Sequence, residues 1–162
     1  MKLNLDTLPF GRSELTVDQD VPLRPDDPET ERFGARGTLS VENTEARVLV
    51  HGEMTVAGPA VCDRCLRSFT LEYPAPVEIT IVRTTAPAPE VTEDDSLVLH
   101  QIRGQVDLGE PLRETAVLHL PLTSICREDC LGICPSCGAD RNQQPCECAA
   151  EPTDPRWDGL PS

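Results

Sequence analysis

A chain of 162 residues and 17.7 kDa supports one domain of ordinary size with an appendage, and excludes two large domains around an active-site cleft. Hydrophobic residues make up 38% and aromatics 3%, so packing rests on Val, Leu and Ile, and 16 prolines against 10 glycines argue against long helical bundles. Fourteen Lys plus Arg against 28 Asp plus Glu leave a net charge of −14, which opposes wholesale binding to a phosphate backbone and favours a basic protein as partner.

The opening Met1-Lys2-Leu3-Asn4-Leu5-Asp6 meets an acid early and shows no apolar leader core, and no apolar run approaches the roughly 18 residues of a membrane span. The expectation is a cytoplasmic protein without membrane contact, whose thiols are kept reduced. After a short alternating start, Val21-Pro-Leu-Arg-Pro-Asp-Asp-Pro-Glu is too proline-broken for a helix or a central strand and reads as a loop. From Gly37 to Val56 apolar residues alternate with polar ones on both sides of Asn43-Thr-Glu45, the pattern of an antiparallel hairpin.

Phe69 to Tyr73 continues the period of two, is expected to break at Pro74 and Pro76, and resumes from Val77 to Ile81. The Pro/Ala-spaced, acid-ended stretch from Arg83 to Asp95 has the composition of an exposed linker. Leu97 to Leu99 and Val106 add short strands. A helix is then predicted near 107–121, capped by Asp107 with Glu110 three residues on and ended by Pro121, with Leu108, Leu112, Ala116 and Leu120 on one face. The whole is an α+β, β-rich fold: an antiparallel sheet, with partial closure into a barrel left open, one packed helix, and a small zinc-ribbon-like tail. The divisions are 1–122 for the strand-rich domain, 123–150 for the tail and 151–162 for a C-terminal extension.

The chemistry lies in eight cysteines. Cys62-Asp-Arg-Cys65 offers half of a tetrahedral zinc site on a turn between strands, although the same spacing serves thiol–disulfide exchange. Six more cysteines fall between 126 and 148 in a stretch almost free of large apolar side chains, so something other than hydrophobic burial must hold it. In Cys134-Pro-Ser-Cys137-Gly138 the glycine frees the backbone so that its amides approach the sulfurs. Eight thiolates permit two complete sites, hence one or two zinc ions. The preferred partition is Cys62, Cys65, Cys126 and Cys130 tying tail to sheet, and Cys134, Cys137, Cys146 and Cys148 closing a ribbon. A partition that moves Cys130 into the ribbon stays open.

All-sulfur sites are usually closed structural clips, whereas a catalytic zinc keeps a position for water and commonly has His or a carboxylate as ligand. His51, His100 and His119 lie in no cysteine cluster, and the chain has no phosphate loop, nucleophile elbow or zincin histidine pair, so no catalytic residues and no enzyme are expected. Arg64, Arg67, Arg127 and Arg141 flank the knuckles; neutralising the charge of a zinc–thiolate cluster is the plainer account of them, RNA contact the bolder one. Trp157, the single tryptophan, either packs back or serves as a docking anchor.

The ordered set Cys62, Arg64, Cys65 and Phe69, then Asp107 to Leu122, then Cys126 to Gly138, the Cys-x-Cys pair and Asp154-Pro-Arg156, resembles the YceD family, the large ribosomal RNA subunit accumulation proteins. The resemblance implies a non-enzymatic ribosome-biogenesis role in the synthesis, processing or accumulation of 23S rRNA and in large-subunit assembly. The implied partner is a ribosomal protein, such as a small zinc-carrying one of the large subunit, or an assembly intermediate. Contact with rRNA is permitted but disfavoured by net charge. The rival readings are a thiol redox switch at Cys62 and Cys65, and a nucleic-acid-binding zinc ribbon.

Overall fold

A computed structural model describes residues 1–22, 32–83, 97–101 and 103–148. Seven strands and one helix follow in order: β1 (Lys2–Asn4), β2 (Gly11–Pro22), β3 (Arg32–Asn43), β4 (Arg47–Val61), β5 (Ser68–Val82), β6 (Leu97–His100), β7 (Gln105–Asp107) and α1 (Gly109–Leu118). Five strands form one sheet in the order β2-β3-β4-β5-β6, and β1 pairs with β7 in a separate antiparallel ladder. Among the described residues the sheet is open: β2 and β6 are its edges and do not pair with each other, so it is not closed into a barrel.

The expected hairpin is β3 and β4, in register from Gly34↔Ala57 to Asn43↔Val48 and longer than its alternation suggested. Two expectations fail along the strands. First, β5 runs unbroken through Pro74 and Pro76. The two prolines are two residues apart, so both missing N–H groups face the same neighbour, and β6 pairs only with Ile79 to Val82. The uncovered flank of β5 therefore takes both rings at no cost in ladder bonds. Second, β6 lies parallel to β5, in a sheet expected to be wholly antiparallel. Residues 83–96 are long enough for the crossover that parallel pairing requires. The loop expected from Val21 begins later, since β2 reaches Pro22. Its remainder, the linker from Thr84 onward and the extension carrying Trp157 lie outside the described residues.

The helix is shorter than expected, and Asp107 does not cap it in a box. Leu108 holds the capping position without a side-chain bond. Asp107 Oδ1 accepts the Gly109 N–H at 2.9 Å, while Glu110 turns to Arg113, whose Nε lies 3.0 Å from both its carboxylate oxygens. Glu110 is thus spent on an (i, i+3) pair rather than on the backbone. The predicted stripe does face the sheet: Leu108, Leu112 and Ala116 are fully buried and Leu120 partly so. They meet the inner face of β2–β5, where Val17, Leu39, Val41, Val50, Met54, Val56, Ile79 and Ile81 are sealed. Tyr73 Oη donates to the Ala116 carbonyl at 2.8 Å, fixing the helix end over β5. Truncating a side chain such as Leu112 to Ala costs about 2–5 kcal/mol at a site of this kind.

Candidate metal centre

The β4–β5 connection and the chain after α1 meet at the end of the sheet. Cys62 and Cys65 stand on the turn: the Leu66 N–H donates to the Cys62 carbonyl and the Cys62 N–H to the Arg67 carbonyl, both at 2.9 Å. The same two bonds recur in the second knuckle, where the Gly138 N–H reaches the Cys134 carbonyl and the Cys134 N–H the Ala139 carbonyl, both at 2.8 Å. Each turn needs a left-handed residue after its second cysteine, and Gly138 supplies it at φ 72° without a steric penalty. In the first knuckle that position is Leu66, at φ 58°, its side chain exposed. The Leu66 conformation has no sequence signal, because position and residue type disagree.

The tail returns to the first knuckle through its backbone. Asp63 exchanges two bonds with Ser124: the Asp63 N–H donates to the Ser124 carbonyl at 2.8 Å, and the Asp63 carboxylate accepts the Ser124 N–H at 2.6 Å. The Ile133 N–H donates to the Arg64 carbonyl at 2.9 Å. This closure gathers Cys62, Cys65, Cys126 and Cys130 into one group and Cys134, Cys137, Cys146 and Cys148 into another, each with four sulfurs within 4.8 Å of one another, suited to hold a metal ion. Cys130 falls in the first group, not in the ribbon. Cys62 and Cys130 sulfurs lie 3.9 Å apart and those of Cys65 and Cys126 3.7 Å. A tetrahedron with metal–sulfur bonds of about 2.3 Å has edges of about 3.8 Å, so these separations fit a zinc-sized ion.

The electrostatics of the bare thiols point the same way. Burial pushes the Cys62 thiol up, but hydrogen bonds from the backbone of Cys126, Cys65 and Arg64 outweigh it and bring it to about 6. Burial, with the neighbouring sulfurs of Cys62, Cys65 and Cys130, pushes Cys126 up to about 12. In the ribbon the Cys137 and Ser136 amides draw Cys134 down to about 6, while Cys137 and Cys134 push Cys148 up to about 12. Each group thus favours one thiolate and resists the next. A cation at the centre removes that repulsion.

No histidine joins either group. His51 Nε2 faces Glu42 at 3.7 Å, and His119 Nδ1 lies 2.9 Å from the Thr115 carbonyl oxygen. Both His100 ring nitrogens are buried without a hydrogen-bond partner among the described residues. Of the four arginines flanking the knuckles, Arg64, Arg67 and Arg127 bond to the protein itself, while Arg141 is exposed. Arg64 donates to the Glu128 and Cys130 carbonyls at 3.2 and 3.1 Å, Arg67 pairs with Asp140 at 3.3 Å, and Arg127 pairs with Asp129 at 3.2 Å. They cross-link the loops that carry the sulfurs. Sequence reasoning missed Asp63, Asp140 and Asn142, the polar residues that fasten those loops; nothing in their local spacing marks them.

The family model for the large ribosomal RNA subunit accumulation protein YceD matches residues 50–162, from within β4 through α1 and both cysteine groups. The chain belongs to the YceD family. Uncharacterised proteins of Mycobacterium tuberculosis and Mycobacterium bovis are 35% identical over 121 residues, 74% of this chain and 56% of theirs. The chain thus spans about half the length of the curated relatives it matches. A chloroplastic YCED homolog of Arabidopsis thaliana, named for large ribosomal RNA subunit accumulation, is 34% identical over 50 residues, 31% of this YceD chain and 16% of its own. No solved structure matches. Among the described residues, no helix is long and apolar enough to cross a membrane.

Proposed function

We propose that this YceD protein is a non-enzymatic, cytoplasmic ribosome-biogenesis factor that supports 23S rRNA accumulation and large-subunit assembly, with one zinc ion held as a structural clip by each cysteine group. The observation that carries the role is the family match, which runs through both groups. Sulfur-only donor sets with no adjacent histidine favour closed sites that supply folding free energy. The first site would staple tail to sheet, and the second would hold a ribbon too poor in apolar side chains to fold alone.

A basic large-subunit protein, or an assembly intermediate presenting one, is the partner that the net charge of −14 favours. The exposed side of the sheet carries Glu53, Glu72 and Glu78, which suits such a partner. Direct RNA contact through the knuckles is the lesser reading, since Arg64, Arg67 and Arg127 are committed to internal bonds.

The test is deletion of the gene, followed by the ratio of large- to small-subunit rRNA and by gradient profiles of the subunits. The expected result is a loss of large-subunit rRNA, restored by the wild-type protein. An unchanged ratio overturns the role. A pull-down with and without ribonuclease separates protein partners from RNA-bridged ones, and ribonuclease-sensitive capture would favour the RNA reading.

A further inference from the structure

Asn142 lies in the ribbon, yet its amide serves the other cysteine group. Its Nδ2 donates to Cys130 Sγ at 3.5 Å and to Asp140 Oδ1 at 2.7 Å. Its Oδ1 accepts the Leu131 N–H at 2.9 Å and Arg127 Nη2 at 2.8 Å. Both amide protons and both carbonyl lone pairs are used, and two incoming N–H donors fix which end is oxygen. Cys130 belongs to the group with Cys62, Cys65 and Cys126. We propose that Asn142 is a positioning residue that couples the two metal centres, so that closing the ribbon around its ion strengthens metal binding at the knuckle between sheet and tail.

The inference rests on the zinc reading above and adds a direction to it. A thiolate that accepts an N–H donor has part of its charge neutralised without losing its bond to the metal, so the donor stabilises the fully ionised four-thiolate set. The donor is placed from both sides: Asp140 holds Asn142 within the ribbon, and the Leu131 N–H and Arg127 beside Cys130 hold its carbonyl. Asp140 anchors the Asn142 N–H at 2.9 Å and Gln143 Nε2 at 2.9 Å, and reaches Arg67 beside the first knuckle at 3.3 Å. The Ile133↔Asp140 bridge and the Arg141 N–H on the Gly132 carbonyl at 3.0 Å hold this loop against the segment joining the two groups.

That segment is short: Leu131, Gly132 and Ile133 separate Cys130 from Cys134. Gly132 takes φ 71°, and a Cβ there would lie 2.9 Å from the Arg64 carbonyl oxygen. A ribbon opened by loss of its ion carries Asn142 away from Cys130 and leaves the Leu131 N–H without its acceptor. Coupling therefore runs through a donor, an anchor and a tight joint, each with one arrangement in the folded ribbon.

The experiment uses the full chain loaded with zinc and titrated with a competing chelator, then loaded with cadmium-113 so that each site gives its own resonance. In the wild type the two ions are expected to leave in one concerted step. Cys146→Ser with Cys148→Ser, which disables the ribbon, should weaken the remaining site by about 10–100-fold. Asn142→Asp keeps the acceptor and removes the N–H donor. It should weaken the first site similarly and shift its cadmium resonance while the ribbon resonance stays put. In the Asn142→Asp background, disabling the ribbon should add little. Two ions that bind independently in the wild type, or a first site unaltered within twofold by Asn142→Asp, overturn the coupling while leaving the zinc reading intact. A wild-type chain that binds no zinc overturns both.

Discussion

The ring of Phe33 lies directly on the bare α-carbon of Gly58, so close that a Cβ at Gly58 would overlap Cγ of the ring. The aromatic side chain from β3 thereby covers the glycine that weakens β4, and both are buried. Gly58→Ala must expel the ring or bend the strand. It is expected to destabilise the protein by about 1–3 kcal/mol, read from the midpoint of urea unfolding at unchanged slope. An unchanged midpoint would mean that the ring is free to move aside.

Tyr73 gives a direct pH readout, because it is the single tyrosine of the chain. Burial raises its phenol from 10.0 to about 12. The folded state therefore holds the proton more tightly than the unfolded state. The stabilisation is complete below about pH 10 and is lost as pH rises towards 12. Phenolate absorbance should titrate late in the native protein and at the ordinary value in denaturant. Tyr73→Phe should shrink the alkaline loss of stability. A native phenol that ionises normally would contradict its place beneath α1.

Three left-handed positions around the cysteine groups should respond differently to substitution. Gly138 has open space where a Cβ would go, so Gly138→Ala costs only its backbone strain, about 1–2 kcal/mol. Gly132→Ala adds a contact at 2.9 Å with the Arg64 carbonyl oxygen and should be the worse of the two. Leu66→Gly removes strain at φ 58° and should be neutral or stabilising by up to about 1 kcal/mol. The order of chelator resistance, Leu66→Gly highest and Gly132→Ala lowest, checks all three.

Metal removal should separate the two sources of stability. With both groups loaded, the eight thiols should resist a thiol reagent, and residues 123–148 should resist protease. After chelation under reducing conditions all eight should react and the tail should be cut, while the β2–β5 core keeps its circular dichroism, since that core is apolar and contains no cysteine. A protease-resistant tail in a reduced, metal-free sample would refute the clip reading.

The sequence made the hairpin, the helical stripe and the crowding of thiols legible, because each has a short period or a dense local signal. The β3–β4 pairing follows from alternation alone, and Leu108, Leu112 and Ala116 from a spacing of four. The continuity of β5 through Pro74 and Pro76 was hidden, since a proline is tolerated only if its flank lacks a partner, and β6 pairs elsewhere along the strand. The parallel placement of β6 was hidden for the same reason: it depends on where the chain returns, not on its own four residues. At the cysteine groups, residue types and knuckle spacing were visible, whereas the Asn142 amide and the Asp63–Ser124 exchange join positions 11 to 61 residues apart and leave no local trace.

The first cysteine group draws two sulfurs from the β4–β5 turn and two from beyond α1, with 60 residues between Cys65 and Cys126. During synthesis the ribosome releases Cys62 and Cys65 long before their partners, so a truncated or stalled product carries half a coordination sphere and no means to complete it. A metal held by all four sulfurs would therefore require synthesis past Cys130 and the return of the tail to the β4–β5 turn, so that its presence would date the closure of this part of the chain.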